Sequence, residues 1–254
     1  MIKLPAIFPH QNEGLSTYIK RLNYSVRRRL IPSVRKIHRL ESLVGPIGYW
    51  KPLQEYQISF LKNMGLSPNH TLLDIGCGPL QGGIKLIEYL EPNHYFGVDL
   101  RPDPIIEAYK QVAHHKLVHK NPTLLVSSSF GKDELTNHTF DLFWMSQLLY
   151  HLPLEAIGTL LQHIKTQMSP TSVFYGDIID YNMELEQNAN WSGFKFHNHQ
   201  PNELQEIAGK AGLGMDILGQ VEDHGYPLEI GVLRKNYVLK FYPCIPQYAL
   251  CPNP

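Results

Sequence analysis

Residues 72–83 read Leu72-Leu73-Asp74-Ile75-Gly76-Cys77-Gly78-Pro79-Leu80-Gln81-Gly82-Gly83, and no other stretch constrains the chain as much. A short apolar strand, Thr71–Ile75, runs into a glycine turn, and a helical pattern follows over Gly82–Leu90. Glycine lets the backbone turn sharply off a strand and approach a ligand closely. An acid, Asp74, stands two positions before the first glycine. A carboxylate there repels a pyrophosphate and attracts a cation, so the expected ligand is positively charged. The next strand, Tyr95–Val98, leads into Asp99, placed 21 residues after Gly78. An acid at that strand end accepts hydrogen bonds from both hydroxyls of a ribose. The alternative for Asp99 is a helix cap ahead of Pro102 and Pro104.

From residue 52 onward helix and strand signals alternate. The expected helices are Pro52–Leu61, Gly82–Leu90, Pro104–Lys116, Leu154–Met168 and Asn202–Ala211. The expected strands after the first two are Thr123–Val126, Phe140–Met145, Ser172–Ile179, Met215–Val221 and Val232–Phe241. Phe140–Met145 has a continuous apolar face, as expected of a strand buried on both sides. Strands alternating with helices of this length imply βαβ units and a mainly parallel, doubly wound α/β sheet. A length of 254 residues and 43% apolar composition supply a full core and exclude general disorder.

The formal net charge is zero, which argues against a generic nucleic-acid binder. The zero hides an asymmetry. Residues 1–45 carry nine bases against two acids, a net +7, and residues 46–254 balance it. Leu15, Tyr18, Ile19, Leu22 and Val26 recur at helical spacing, and a second short helix is expected over Val34–Leu43. The division is therefore a basic helical extension, 1–45, and a domain over 46–254. The extension either covers the core with its bases in solvent or docks on an anionic membrane, partner or substrate. No run of about 18 apolar residues exists, and the N-terminus lacks an apolar signal region. Cys77, Cys244 and Cys251 are odd in number and contain no CxxC, so neither a disulfide scaffold nor a zinc ribbon is expected. A reducing, cytoplasmic setting follows as the expectation.

S-adenosylmethionine carries a sulfonium and an α-ammonium group, so Asp74 suits it and suits a dinucleotide poorly. With these residues in place the sequence resembles class I S-adenosylmethionine-dependent methyltransferases, and within them a bacterial group with GCGPLRGG after the first strand. The resemblance spans about residues 45 to 240. It rests on Gly45-Pro46, Tyr49-Trp50, Leu73 to Leu80 with Gly82-Gly83, Gly97-Val98-Asp99, Phe140-Asp141, His151-Leu152-Pro153 and His224-Gly225-Tyr226-Pro227. It implies a Rossmann-like seven-stranded sheet, order 3-2-1-4-5-7-6 with strand seven antiparallel. Two departures stand out. Leu80-Gln81 occupies the place of a third glycine or of Leu-Arg, which implies a differently shaped turn. Ser127-Ser128-Ser129-Phe130 replaces the acid that commonly holds the adenine amino group.

The cofactor set implied is Asp74, Gly76, Cys77, Gly78, Asp99 and Leu100, with Ser128 or Ser129 on the adenine, Phe130 packed on it, and Met145, Ser146 and Gln147 near the methionine portion. A purely structural role for Gln147 at a helix start is equally open. The product would be S-adenosylhomocysteine. Methyl transfer needs a base only for an acceptor that is protonated at working pH. His151, at the strand edge with an imidazole that titrates near neutrality, is the candidate base, and a histidine bonded to backbone at a helix start is the alternative. The segment 181–200 is too long for an ordinary connection. Tyr150, Tyr181, Trp191, Phe194, Phe196 and His197 are the expected acceptor-binding residues, with aromatic packing of a surface excursion as the alternative. His197-x-His199 has ligand spacing with too few further ligands, so no metal is expected. The function expected is methyl transfer to a small-molecule acceptor, at a hydroxyl or carboxyl oxygen of a natural product or saccharide. A modified peptide is a further acceptor class. N-methylation and a non-catalytic cofactor-binding scaffold are the alternatives.

Overall fold

Strand β4 (Phe140–Met145) has the sequence FDLFWM, with Phe140, Leu142, Phe143, Trp144 and Met145 all buried. Large side chains on both faces require cover on both sides, and this requirement sets the architecture. The computed structural model describes residues 23, 26–27, 30–44, 48–180, 195–227 and 236–244. The chain divides into two compact units, residues 1–50 and 51–254.

In the first unit, α1 (Pro32–Val44) is the second of the expected N-terminal helices. Its buried Glu41 accepts a hydrogen bond from the backbone N–H of Trp50 at 2.9 Å. That places a carboxyl group on an N–H left over at the start of α2 (Trp50–Asn63), where the helix dipole favours negative charge. Pro52 falls in the first turn of α2, where its missing N–H costs nothing. Among the described residues no helix is long and apolar enough to cross a membrane.

The second unit holds β1 (Leu72–Ile75), α3 (Gly83–Tyr89), β2 (Tyr95–Asp99), α4 (Pro102–His114), β3 (Thr123–Val126), β4, α5 (Leu154–Thr166), β5 (Met168–Ile179), α6 (Pro201–Lys210), β6 (Leu213–Gln220) and β7 (Asn236–Pro243). Among the described residues these strands form one seven-stranded sheet of order β3-β2-β1-β4-β5-β7-β6. β1 to β5 run parallel, and β7 lies antiparallel between β5 and β6. One face packs Tyr56, Phe60 and Leu61 of α2, with residues of α3 and α4, onto Leu72, Trp144, Tyr175 and Val238. The other packs Ile157, Leu160, Leu161, Leu204 and Ala208 of α5 and α6 onto Leu73, Phe143, Met145 and Phe174. Each such fully buried side chain contributes about 1.5–3 kcal/mol over leaving it exposed.

The structure departs from the sequence-based expectation at a few boundaries. The expected helix over Leu154–Met168 stops at Thr166, and β5 starts at Met168 instead of Ser172. The strand is longer because Ser172 sits in a bulge: its buried hydroxyl donates to the Phe140 carbonyl at 2.6 Å, and Met168 still pairs with Phe140. Cys244 is disulfide-bonded, whereas Cys77 is buried and free.

Sheet order reverses between β1 and β4, so the carboxyl ends of β1, β2 and β4 border the crevice where open α/β sheets take ligands. Three non-glycine residues at this edge adopt the left-handed region. Leu80 (φ 65°) follows β1, Phe130 (φ 58°) follows β3 and Gln147 (φ 55°) follows β4. Such conformations cost about 1–3 kcal/mol each and persist where the surroundings impose them. Leu80 therefore keeps the turn geometry that a glycine would give, and its fully buried side chain offsets the strain.

Candidate active site

Asp74 is the deepest charged group of the site. It is 4% exposed, and the Tyr95 hydroxyl donates to its Oδ2 at 2.6 Å. Burial pushes its carboxyl up to about 7; the Tyr95 hydrogen bond pulls it down, and the neighbouring Asp99 charge raises it. Among the described residues Asp74 has no basic partner. Tyr95 reaches Asp74 because the chain around it is cut away. A Cβ at Gly97 would lie 3.0 Å from the Tyr95 ring and 2.9 Å from Cys77 Sγ, and one at Gly83 would lie 2.5 Å from the Tyr95 hydroxyl. Gly83 thus opens the start of α3 so that Tyr95 can bond Asp74, while Gly82 makes room for the Gln57 side chain. Helix α2 closes over the same turn, where Gln54 donates from Nε2 to the Gln81 carbonyl at 3.0 Å.

Asp99 ends β2 with both oxygens held. Oδ2 accepts from the Gly78 N–H at 3.2 Å and Oδ1 from the Arg101 N–H at 2.9 Å. Each carboxylate oxygen keeps a second lone pair, which suits a pair of ribose hydroxyls. Gly76 and Cys77 donate their N–H groups to the Val98 carbonyl, which fixes the turn against β2. The Cys77 side chain points inward: it is 6% exposed, its thiol is pushed well above the usual range by burial, and it contacts the Gly78 carbonyl. Only its backbone borders the crevice edge. Leu100 is 64% exposed, a free apolar face beside Asp99. Replacing Asp99 by Ala should weaken S-adenosylmethionine binding by about 1–3 kcal/mol, between 5- and 150-fold. Calorimetry checks this, and an unchanged affinity would remove Asp99 from the ribose site.

After β3 the organising residue is Ser127, which the sequence did not single out. Its buried hydroxyl accepts from the N–H groups of Ser129 (3.2 Å) and Gly131 (2.8 Å) and donates to Glu134 at 2.8 Å. Ser129 uses its own hydroxyl locally, accepting from the Asp133 N–H at 3.3 Å. Ser128 is exposed, and Phe130 packs half-buried against the core at the turn.

After β4, Met145 turns its side chain into the core. Gln147 donates its N–H to Asp177 Oδ1 at 2.5 Å and its side-chain amide to the Tyr226 hydroxyl. Asp177 is buried, and its other oxygen accepts from Asn236 Nδ2 at 2.6 Å. Burial pushes the Asp177 carboxyl up to about 6, against the lowering effect of these two bonds. Tyr226 meets Tyr56 of α2 edge to face, with centroids 5.0 Å apart. None of Asp177, Asn236, Tyr226 or Tyr56 was marked by sequence pattern as an acceptor residue.

The expected acceptor residues fall in two groups. Tyr150, His151 and Phe196 come together: the His151 ring lies 4.6 Å from Tyr150 and 4.8 Å from Phe196, centroid to centroid. His151 Nδ1 lies 3.1 Å from the Lys195 carbonyl, and the His197 N–H donates to the Tyr150 carbonyl at 2.7 Å. The rings of His197 and His199 stack at 5.9 Å, and His199 bonds the Leu152 carbonyl. Burial holds the His199 imidazole below its usual range. Tyr181, Trp191 and Phe194 lie outside the described residues.

The arrangement fits a cationic nucleoside. A buried acid without a basic partner, an acid at the next strand tip and an exposed apolar face form one line along the crevice. Residues 73–174 match the family model of a methyltransferase domain. No curated protein sequence matches the chain. Among solved structures, an S-adenosylmethionine-dependent methyltransferase from Clostridium acetobutylicum superposes with a TM-score of 0.58 at 11% identity, covering 89% of this chain and 100% of that one. Magnesium protoporphyrin IX methyltransferase from Synechocystis, with bound S-adenosylmethionine, gives 0.55 at 14% identity, covering 87% and 97%. The mitomycin 7-O-methyltransferase MmcR gives 0.54 at 14%, covering 87% and 60%. At these identities the likeness is one of fold.

Proposed function

We propose that the methyltransferase domain of this chain takes S-adenosylmethionine and methylates a small-molecule acceptor at oxygen, with His151 receiving the proton. One observation carries the assignment of the base. The partner of His151 Nδ1 is a carbonyl, which only accepts hydrogen bonds. Nδ1 therefore holds the ring proton, and the lone pair lies on Nε2, the tautomer a general base needs.

Bound S-adenosylmethionine supplies a methyl group already activated on a sulfonium. The chain's part is to bind, align and exclude water. Asp99 receives the ribose hydroxyls, Asp74 faces the positive charge, and Leu100 and Phe130 border the adenine. The aromatic group Tyr150, Phe196 and His151 forms an apolar wall for the acceptor. With the methyl carbon passing from sulfur to the acceptor oxygen, and the electrons of the broken S–C bond leaving with S-adenosylhomocysteine, the acceptor's proton would pass to His151 Nε2. The resulting imidazolium keeps its Nδ1–H on the Lys195 carbonyl, which stabilises the charge. A carboxylate acceptor would bypass this step, because it carries no proton at neutral pH. The fold shared with an O-methyltransferase of a natural product supports an oxygen acceptor.

The test is a product survey with methyl-labelled S-adenosylmethionine against panels of alcohols, phenols, carboxylic acids and amines. Labelled ether or ester supports the reading. Label only on nitrogen would transfer the assignment to N-methylation. Tight cofactor binding with no labelled product from any panel would favour a binding module.

A further inference from the structure

Asn236 carries a polar atom that the fold leaves unanswered. The residue is 6% exposed at the start of β7 and pairs with Ile179 at the end of β5. Because β7 runs antiparallel, its first residue lies at the edge where β4 and β5 end, beside Gln147. The Asn236 amide orientation is fixed. Nδ2 lies 2.6 Å from Asp177 Oδ2, and a carboxylate accepts, so the nitrogen faces Asp177 and Oδ1 faces away. Asn236 Oδ1 is buried and has no hydrogen-bond partner among the described residues. A buried acceptor left without a donor is costly, so such an atom calls for a donor supplied from elsewhere. Tyr56, close enough to Asp177 for the carboxylate charge to raise its hydroxyl, meets Tyr226 edge to face.

We propose that Asn236 Oδ1 receives a hydrogen bond from a hydroxyl of the acceptor other than the one that yields its proton to His151, and that Asp177 is the positioning residue that aims it. This rests on the methyltransferase reading and narrows it. The site selects a hydroxyl attached to an apolar body over a carboxylate, which has no hydrogen to donate. Asp177 does this from both oxygens, holding Asn236 on one and the left-handed Gln147 backbone on the other. A site built to bond a hydroxyl discriminates strongly against the analogue that lacks it, because its own buried group is then left unpaired.

The probes are benzyl alcohol, benzyl methyl ether and benzoate, titrated into the full chain saturated with S-adenosylhomocysteine. Wild type should bind the alcohol at least tenfold more tightly than the ether or benzoate. In Asn236→Ala the alcohol and ether should bind within about twofold of each other while affinity for S-adenosylhomocysteine stays unchanged, and Asp177→Asn should lose part of the preference. A measurement on wild type alone covers the case of variants that do not fold: the Asn236 side-chain amide resonances should shift with the alcohol and not with the ether. Equal affinities in wild type, a preference that survives Asn236→Ala, no binding of the alcohol, or unmoved Asn236 resonances would each overturn the proposal, the last pointing to a buried water on Oδ1. The two levels separate cleanly. Failure of S-adenosylhomocysteine to bind wild type defeats the methyltransferase reading, whereas binding without discrimination defeats only the hydroxyl site.

Discussion

Replacing His151 by Ala should lower turnover on a hydroxyl acceptor by on the order of 10²–10⁴-fold, the usual contribution of a positioned general base. Cofactor affinity should change little, because His151 is anchored to Lys195 and to the rings of Tyr150 and Phe196 rather than to the Asp74 and Asp99 edge. Ring contacts are lost as well, so His151→Gln serves as the companion. It keeps a donor for the Lys195 carbonyl but has no basic nitrogen, and it should be as slow as Ala. A glutamine variant that retains turnover across pH 6–9 would assign His151 a packing role.

The second large effect concerns Asp74, where stability and function are expected to oppose each other. Its folded-state carboxyl is raised from an ordinary value of 3.8 to about 7. Below 3.8 the group is protonated in both folded and unfolded states. Between there and 7 the unfolded chain releases its proton and the fold does not, so stability falls as pH rises and levels off above 7. The loss attributable to this one group is on the order of 2–4 kcal/mol, or about 5–10 °C of Tm for a chain of this size. Asp177 adds a smaller loss of the same sign, because its carboxyl is also raised, to about 6. Asp74→Asn removes the first contribution, so its melting temperature should fall less between pH 4 and pH 8. At pH 8 the variant should melt above wild type, even after the cost of burying an amide with an unmatched donor. The same variant should bind S-adenosylmethionine at least 100-fold more weakly, having lost the negative charge opposite a cation. An identical pH slope of melting in both proteins would show that Asp74 is not the group titrating.

How far the sequence alone reached follows from what each feature depends on. The alternation of strands and helices and the placing of Asp74 and Asp99 at strand ends were legible because both are carried by short local patterns, a strand followed by a turn, repeated at the spacing of a βαβ unit, whereas the strand order came only with the family resemblance. The turn at Leu80 was read as a changed shape, and the structure places a buried leucine there in the left-handed region. Contacts between distant segments were hidden. Asp177 and Asn236 are 59 residues apart and meet only through antiparallel pairing of β5 with β7. His151 and Lys195 are 44 apart and meet across the long segment after β5. Tyr95 read as an ordinary strand residue, and its bond to Asp74 depends on the missing side chains at Gly83 and Gly97. After β3 the sequence pointed to Ser128 and Ser129, but three adjacent serines do not reveal which hydroxyl turns inward. Burial selects Ser127, and Glu134 completes its hydrogen bonding.

Proton-linked calorimetry of S-adenosylmethionine binding, at pH 6 and pH 8 in buffers of different ionisation enthalpy, tests most directly whether the buried carboxylate exists to meet a cation. Wild type should bind about tenfold more tightly at pH 8 than at pH 6 and should release most of one proton on binding at pH 6, because the incoming positive charge ionises Asp74. Asp74→Asn should show neither the proton release nor the pH dependence. Absence of binding at millimolar cofactor, or pH-independent binding by wild type with no proton released, would contradict the account.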